Sequence, residues 1–360
     1  MTSCTGEYYA YMFSELYHAN SMYAFASYHQ EMLGDRKRMD AYYRAILGSA
    51  DLLRGKVVLD VGAGTGILSV MAAMAGAERV YAVEATSVAR AARLLAESNG
   101  FGDRIRVVQG TVETVELPEQ VDVLISECFG HCMLRESTLD SVIVARDRFL
   151  KPGGAMVPSR AAVFLAPIRT DGQLQHRARE YAESMESWSD LERCVREACR
   201  VELGALRELV AKERLDDIVF TGHCGDVHPR QLLGDGALLK EYDFRTVSLP
   251  ELQAPLEASF RTCLHADASS IEALCVWFDV FFDHECSRLL LSTAPDADGA
   301  THWGQQVLFC YPAVDVGSDD ELVGRVRIAR QPHQCRLLQM EAEIGSDSSS
   351  SRRVFKWKME

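Results

Sequence analysis

The sequence predicts an α/β chain: a doubly wound parallel sheet with helices on both faces, followed by an antiparallel β-rich unit that carries a helical insertion. Three observations support this. Between Gly55 and Pro158, apolar strand-like runs alternate with helix-like runs, the pattern that builds a parallel sheet. After Pro158, the runs AAVFLAPI, ALLKEYDFRTVSL, EASFRTCLH, ALCVWFDVFF and LLLSTAP have no crossover helices of their own, as in an antiparallel sandwich or barrel. Inside that half, residues 173–212 are rich in Arg, Glu, Ala and Leu, which favour helix. At 360 residues the chain is longer than one core usually serves, so more than one domain is expected. The expected divisions are 1–54, 55–158 and 159–360.

Taken in order, residues 8–33 place Tyr23, Tyr28, His29 and Met32 at helix-compatible spacings among many other aromatics, which predicts one or two helices with an apolar face. The stretch VVLDVGAGTGILS, Val57 to Ser69, reads as a buried strand feeding a tight turn that opens a helix. Gly62, Gly64 and Gly66 let backbone amides approach a ligand, and Asp60 is expected at the strand end, where a polar ligand group can be gripped. A second strand, RVYAVEA, brings in Glu84, whose carboxylate suits hydrogen bonds from ribose hydroxyls. RIRVVQG and VDVLISE continue the sheet, and a helix is expected to end at LKPGG. Asp60, Glu84, Glu113 and Glu127 are each expected to follow a strand directly, four acids on one rim. In SECFGHCMLRES, Glu127 and Glu136 lie nine residues apart, one at a strand end and one before a helix, so a hairpin can bring them face to face. Two such carboxylates repel unless a cation separates them. A guanidinium, with planar donors that match carboxylate oxygens in pairs, resolves that conflict.

Composition limits the alternatives. Hydrophobic residues make up 48% and charged residues 25%, as in an ordinary globular protein. No run of about 20 apolar residues suggests a membrane span, and the first residues lack the pattern of a secretory signal. Eleven cysteines without CxxC or Cys/His ligand spacing read as reduced thiols of a cytoplasmic or nuclear protein, with no metal site expected. The formal net charge of -14 repels nucleic acid and attracts cationic partners.

The glycine spacing is GxGxG, because the position three after Gly64 is Ile67. It resembles the first motif of class I S-adenosylmethionine (SAM) methyltransferases, which have a Rossmann-like domain. The segment HQEMLGDRKRMDAYYRAI is similar to the entry helices of protein arginine methyltransferases, SECFGHCMLRES to their double-E loop, and Thr301-His302-Trp303 to their THW loop. This resemblance implies a SAM-binding domain followed by a β-barrel, with the insertion as a dimerisation arm and a homodimer as the assembly. It implies that Arg38 pairs with the SAM carboxylate, that Glu113 meets the adenine amino group, and that Met32 borders both SAM and an arginine slot shared with Tyr23, Trp303 and His131. It also implies that Glu127 and Glu136 grip the substrate guanidinium and that Asp35 holds His302. Either Glu136 or the His302–Asp35 pair is then available to take the proton. Substrates would be arginines in cationic proteins such as histone tails or Gly/Arg-rich segments. The branch most resembled is the nuclear type I, which makes monomethyl and asymmetric dimethylarginine. Three departures stand out: Cys128-Phe129-Gly130-His131 replaces the usual Trp-Met-Gly-Tyr, Thr138 replaces a Met, and ANSMY keeps only Tyr23 of a tyrosine pair. They keep a second reading open, a catalytically weak or inactive regulatory subunit.

Overall fold

The computed structural model describes residues 22–265, 267–284, 287–317, 320–349 and 352–359. The helices expected before residue 22 lie outside that range. The described chain begins with a 3-10 turn, Ala26–His29, and the helices Gln30–Gly34, Arg36–Leu47 and Ala50–Leu53. Asp35 caps the second of these helices, its carboxylate accepting the backbone N–H of Arg38 at 3.0 Å. This cap satisfies an orphan donor of the first turn and fixes where Arg38 leaves the helix.

Five strands form a wholly parallel sheet: β1 Val57–Val61, β2 Arg79–Glu84, β3 Ile105–Gln109, β4 Val121–Ser126 and β5 Leu150–Val157, in the order β3-β2-β1-β4-β5. Every residue of β1 is buried, with Leu59 opposite Tyr81 on one side and Leu124 on the other. The strand order reverses between β1 and β4, and in open α/β sheets ligands bind at the carboxyl ends of strands beside such a reversal. Helices Ile67–Met74, Ala89–Ser98 and Thr138–Phe149 flank the sheet. The last helix stops at Phe149, directly before the Leu-Lys-Pro-Gly-Gly segment expected to end it, and that segment opens β5. Among the described residues β5 pairs only with β4, and an edge strand tolerates the missing amide of Pro152.

The second unit comprises β6 Arg160–Ile168, β7 Thr221–Gly225, β8 Ala237–Asp243, β9 Leu256–Cys263, β10 Ser270–His284, β11 Ser287–Ser292, β12 Gln305–Asp315, β13 Glu321–Gln331, β14 Gln334–Ser346 and β15 Arg353–Met359. The strands run β8-β6-β10-β12-β7-β15-β14-β13-β9, with β11 paired to β10. The end strands β8 and β9 contact each other, so the sheet curls into a nearly closed barrel. One pairing departs from the antiparallel expectation: β15 runs parallel to β7. One contiguous apolar core reaches from β1 through the barrel, and the Tyr42 and Phe282 rings meet edge-on at 5.0 Å across the junction. A buried Asp140–Arg330 pair, at 2.6 and 2.9 Å, ties the helix Thr138–Phe149 to β13.

The insertion is a helical hairpin, Gln173–Cys199 and Arg207–Ile218, its second helix running past Lys212. At 1.5 Å per residue the first helix is about 40 Å long. Its root is anchored: Leu174 is buried in a small apolar cluster with Trp277 and Phe309, and Tyr181 packs against that cluster. Further out, Leu191, Leu206 and Leu209 are exposed. Among the described residues no helix is long and apolar enough to cross a membrane, and no group of His, Cys, Asp or Glu has a metal-binding arrangement.

Candidate active site

The carboxyl ends of β1, β2 and β4 open on a cavity of about 290 Å³ lined by Gly62, Ala63, Gly64, Glu84, Glu127 and Glu136, with the N-terminal helices and the 301–303 loop over it. Gly62 and Gly64 have φ of +69° and +54°, a left-handed conformation that glycine adopts without steric cost. A Cβ on Gly64 would lie 3.0 Å from the His29 ring, and one on Gly62 would lie 2.9 Å from Cys128 Sγ. Glu84 holds the turn, its carboxylate accepting the backbone N–H groups of Gly64 at 2.9 Å and Thr86 at 2.8 Å.

Two residues expected to touch a ligand do not line this cavity. Asp60 lies within β1, below the turn, and accepts the Ser69 hydroxyl at 2.6 Å. Gly66 packs against Ala92 of the helix Ala89–Ser98, so its missing side chain brings two helices together. The rim therefore holds three acids: Glu84 ends β2, Glu127 follows β4 directly, and Glu113 lies four residues beyond β3, accepting the Ser141 hydroxyl at 2.7 Å.

Burial of Asp60, helped by the nearby Glu84 charge and opposed by Ser69, raises its pKa to about 7. Its Oδ1 has no hydrogen-bond partner. A carboxyl whose folded pKa lies above its unfolded value of 3.8 binds its proton more tightly in the native state, so its contribution is complete below about pH 4 and is lost as pH rises through 7. Asp60→Asn keeps an acceptor for Ser69 and removes the charge. The variant should exceed wild type in thermal midpoint at pH 8 by several degrees, a few kcal/mol, with the gap closing toward pH 4. An equal gap at both pH values would refute this account.

The loop between Glu127 and Glu136 folds back through a Gly130–Met133 bridge. A Cβ on Gly130 would lie 2.1 Å from the Arg135 carbonyl oxygen, so only glycine allows the fold-back. Cys132, Met133, Glu136 and Ser137 all adopt positive φ, and such strain persists only where the surroundings over-determine it. Here the Thr138 hydroxyl donates to the Cys128 carbonyl, the Ser137 hydroxyl to the Cys335 carbonyl, and Trp303 Nε1 to the Phe129 carbonyl, each at 2.8 Å. His131 Nδ1 lies 2.8 Å from the Trp303 carbonyl.

Both glutamates reach the cavity, and each has a partner from the chain itself. Arg38 donates through Nε and Nη2 to Glu127 Oε2 at 2.9 and 2.5 Å, and through Nη1 to the Met32 carbonyl at 2.9 Å. Burial alone would lower the Arg38 pKa, but the Glu127 carboxylate outweighs it and raises it. Arg38 lines the cavity, but its guanidinium is bound to Glu127, where the resemblance implied a SAM carboxylate. Glu136 accepts the Tyr23 hydroxyl at 3.1 Å and Arg336 Nη2 at 3.3 Å. Burial, reinforced by the Glu136 charge, pushes the Tyr23 pKa far up, so its hydroxyl remains a donor. Asp35 lies beside the cavity, accepting from His302 Nδ1 at 2.8 Å and from its backbone N–H at 2.9 Å. Burial would raise the Asp35 pKa, but these bonds and the Arg38 amide hold it below the ordinary value. Met32, Tyr23, His131, His302 and Trp303 all line the cavity.

Sequence reasoning missed Arg336 and gave His29 no place beside the turn. Nothing local marks Arg336: it enters from β14, 200 residues from Glu136.

A glycine cradle at a sheet reversal, with an acid ending the second strand, is the geometry of a Rossmann-like site for a nucleoside-bearing cofactor. A family model described as a methyltransferase domain matches residues 58–154, and one described as the arginine methyltransferase oligomerization subdomain matches residues 159–348. Protein arginine N-methyltransferase PRMT10 of rice (Oryza sativa subsp. japonica) is 40% identical over 92% of this chain and 88% of its own length. The crystal structure of Arabidopsis thaliana protein arginine methyltransferase 10 superposes with a TM-score of 0.88 at 36% identity, covering 94% of this chain and 99% of that one. A Trypanosoma brucei PRMT1 enzyme–prozyme complex with AdoHcy superposes at 0.79 and 28% identity, covering 94% and 99%. The chain belongs to the protein arginine N-methyltransferase family. Its cofactor is SAM, and the cradle at Gly62 and Gly64, which a Cβ would fill, suits close approach of such a ligand.

Proposed function

We propose that this chain transfers methyl groups to the guanidino nitrogens of arginines in basic proteins, forming monomethyl and asymmetric dimethylarginine as a type I enzyme. The supporting observation is that Glu127 and Glu136 open on the same cavity as the glycine turn and Glu84. A carboxylate has about four lone-pair sites, so each glutamate keeps acceptor capacity beside its resident arginine.

SAM supplies an already activated methyl group, so no covalent enzyme intermediate is needed. The protein must instead overcome the poor nucleophilicity of a delocalised guanidinium. Glu127 and Glu136 draw its positive charge onto two nitrogens and leave electron density on the third. Met32, Tyr23, His131 and Trp303 border the slot and hold that nitrogen in line, and near-attack placement of this kind contributes several kcal/mol. Glu84 and Glu113 are placed for the cofactor's ribose and adenine. Arg38 keeps an unused Nη2–H for its carboxylate. Asp35 fixes the His302 ring.

The net charge of -14 suits cationic substrates such as histone tails or Gly/Arg-rich segments in the nucleus or cytoplasm. The exposed leucines of the helical hairpin suit a homodimer. The test uses the purified chain alone with labelled SAM, a histone-tail peptide and a Gly/Arg-rich peptide, the methylarginines being separated afterwards and the chain's mass followed by sedimentation. We expect asymmetric dimethylarginine from a dimer. Symmetric product would overturn the type, sedimentation as one 40.0 kDa chain the dimer, and transfer only with an active paralogue the assignment as an enzyme.

A further inference from the structure

Building on the reading just proposed, we infer that His131 accepts the proton released in methyl transfer. As the guanidino nitrogen bonds to the methyl carbon, the carbon–sulfur bond of the sulfonium breaks and its electron pair stays on sulfur. The proton shed by the newly methylated nitrogen passes to His131 Nε2 and then to water. Sulfonium plus guanidinium thus become thioether, methylguanidinium and one proton, with charge and atoms balanced.

The ring's tautomer follows from one contact. His131 Nδ1 lies 2.8 Å from the Trp303 carbonyl oxygen, which only accepts, so Nδ1 carries the hydrogen. In the neutral ring the lone pair then lies on Nε2. The ring lines the cavity, and among the described residues no hydrogen bond occupies Nε2. His131 is half-buried, which leaves the proton a route to solvent.

Three other basic groups of the cavity each hold a partner from the chain, and the two glutamates are assigned to the substrate guanidinium. Glu127 Oε2 holds Arg38, Glu136 takes the Tyr23 hydroxyl and Arg336, and His302 Nδ1 is on Asp35. The charged groups around His131 act in both directions. Burial lowers its pKa, Arg135 and His302 lower it further, and the Trp303 carbonyl and Glu136 raise it, with a net fall. The ring is therefore neutral, and ready to accept, at physiological pH. The tyrosine common at this position in the family resembled would keep its own proton there, so this chain has gained a base where that family has a phenol.

The test compares His131→Asn, His131→Ala and wild type for kcat and peptide KM across pH 5–9, with calorimetric cofactor titration as a control. Asn keeps a donor for the Trp303 carbonyl and lacks Nε2. We expect H131N to lower kcat by about 100-fold, with KM and cofactor affinity within about twofold, and to lose the acid limb of the kcat profile. Added imidazole should restore H131A activity by about 10-fold or more. A retained acid limb in H131N, or a loss in H131A that imidazole leaves unchanged, would overturn the assignment. In either case an active wild type leaves the proposed function standing. A wild type that methylates neither peptide overturns both.

Discussion

Glu136→Gln should abolish turnover, by about 1,000-fold or more in kcat, while cofactor affinity stays within about twofold. The change is nearly isosteric and removes one negative charge. In the resting site the Glu136 carboxylate faces two donors, the Tyr23 hydroxyl and Arg336 Nη2, at 3.1 and 3.3 Å. A carboxamide offers one oxygen to these donors and turns its own N–H₂ toward the other position, so it cannot also accept from a substrate guanidinium. Charge-assisted bonds of this kind are roughly twice as strong as neutral ones, and here the charge must also polarise the nucleophile. Cofactor affinity is spared because Glu84 and the glycine turn hold their mutual bonds without Glu136. Radiolabel transfer with parallel calorimetry checks both halves of the prediction. Turnover within tenfold of wild type would remove Glu136 from the chemistry.

The parts of the molecule that depend on local pattern were legible in the sequence. Apolar strand-like runs alternating with helix-like runs marked the parallel sheet, and the Arg/Glu/Ala/Leu run marked the hairpin arm, because each reports the burial or helix preference of one local segment. That Asp60 stays off the cavity lining was not legible, because residues near a strand end look alike in sequence. Whether such a side chain meets ligand or core turns on a single residue of register, and β1 runs one residue beyond it to Val61. The packing of Gly66 on Ala92 was hidden for a related reason: a turn glycine that admits a ligand and one that admits a neighbouring helix carry the same letter. The stop signal in Pro-Gly-Gly was legible, since the helix Thr138–Phe149 ends directly before it, but the edge strand that begins there carried no mark of its own. Arg336 was invisible, since only the wrapping of β14 around the barrel brings it to Glu136. Even the partner of Arg38 was a tertiary fact. The cap at Asp35 sets the direction of the side chain, but the loop after β4 supplies the carboxylate it meets.

That contact leads to the second large effect, on stability. The Arg38 and Glu127 side chains are only 8% and 6% exposed, so little water would screen either charge left alone. Arg38→Met removes the cation and leaves Glu127 buried, with the Phe129 backbone N–H at 3.2 Å as its remaining donor. Breaking a buried pair in this way costs about 3–5 kcal/mol, enough to unfold a sizeable fraction of a marginally stable protein. The variant should lose several degrees of thermal midpoint as well as its activity. Adding Glu127→Gln to Arg38→Met should recover most of the stability, because exchanging both ends of a buried ion pair for neutral groups is often close to neutral. Activity should stay absent in the double variant, which lacks one of the two carboxylates assigned to the substrate. A thermodynamic cycle of wild type, the two single variants and the double variant, read by thermal and denaturant unfolding, gives the coupling directly. Additive losses would mean that the two side chains are neighbours without interaction. Recovery of stability without turnover would instead show one ion pair serving two ends: holding the loop after β4 in place, and keeping Glu127 where a substrate guanidinium can reach it.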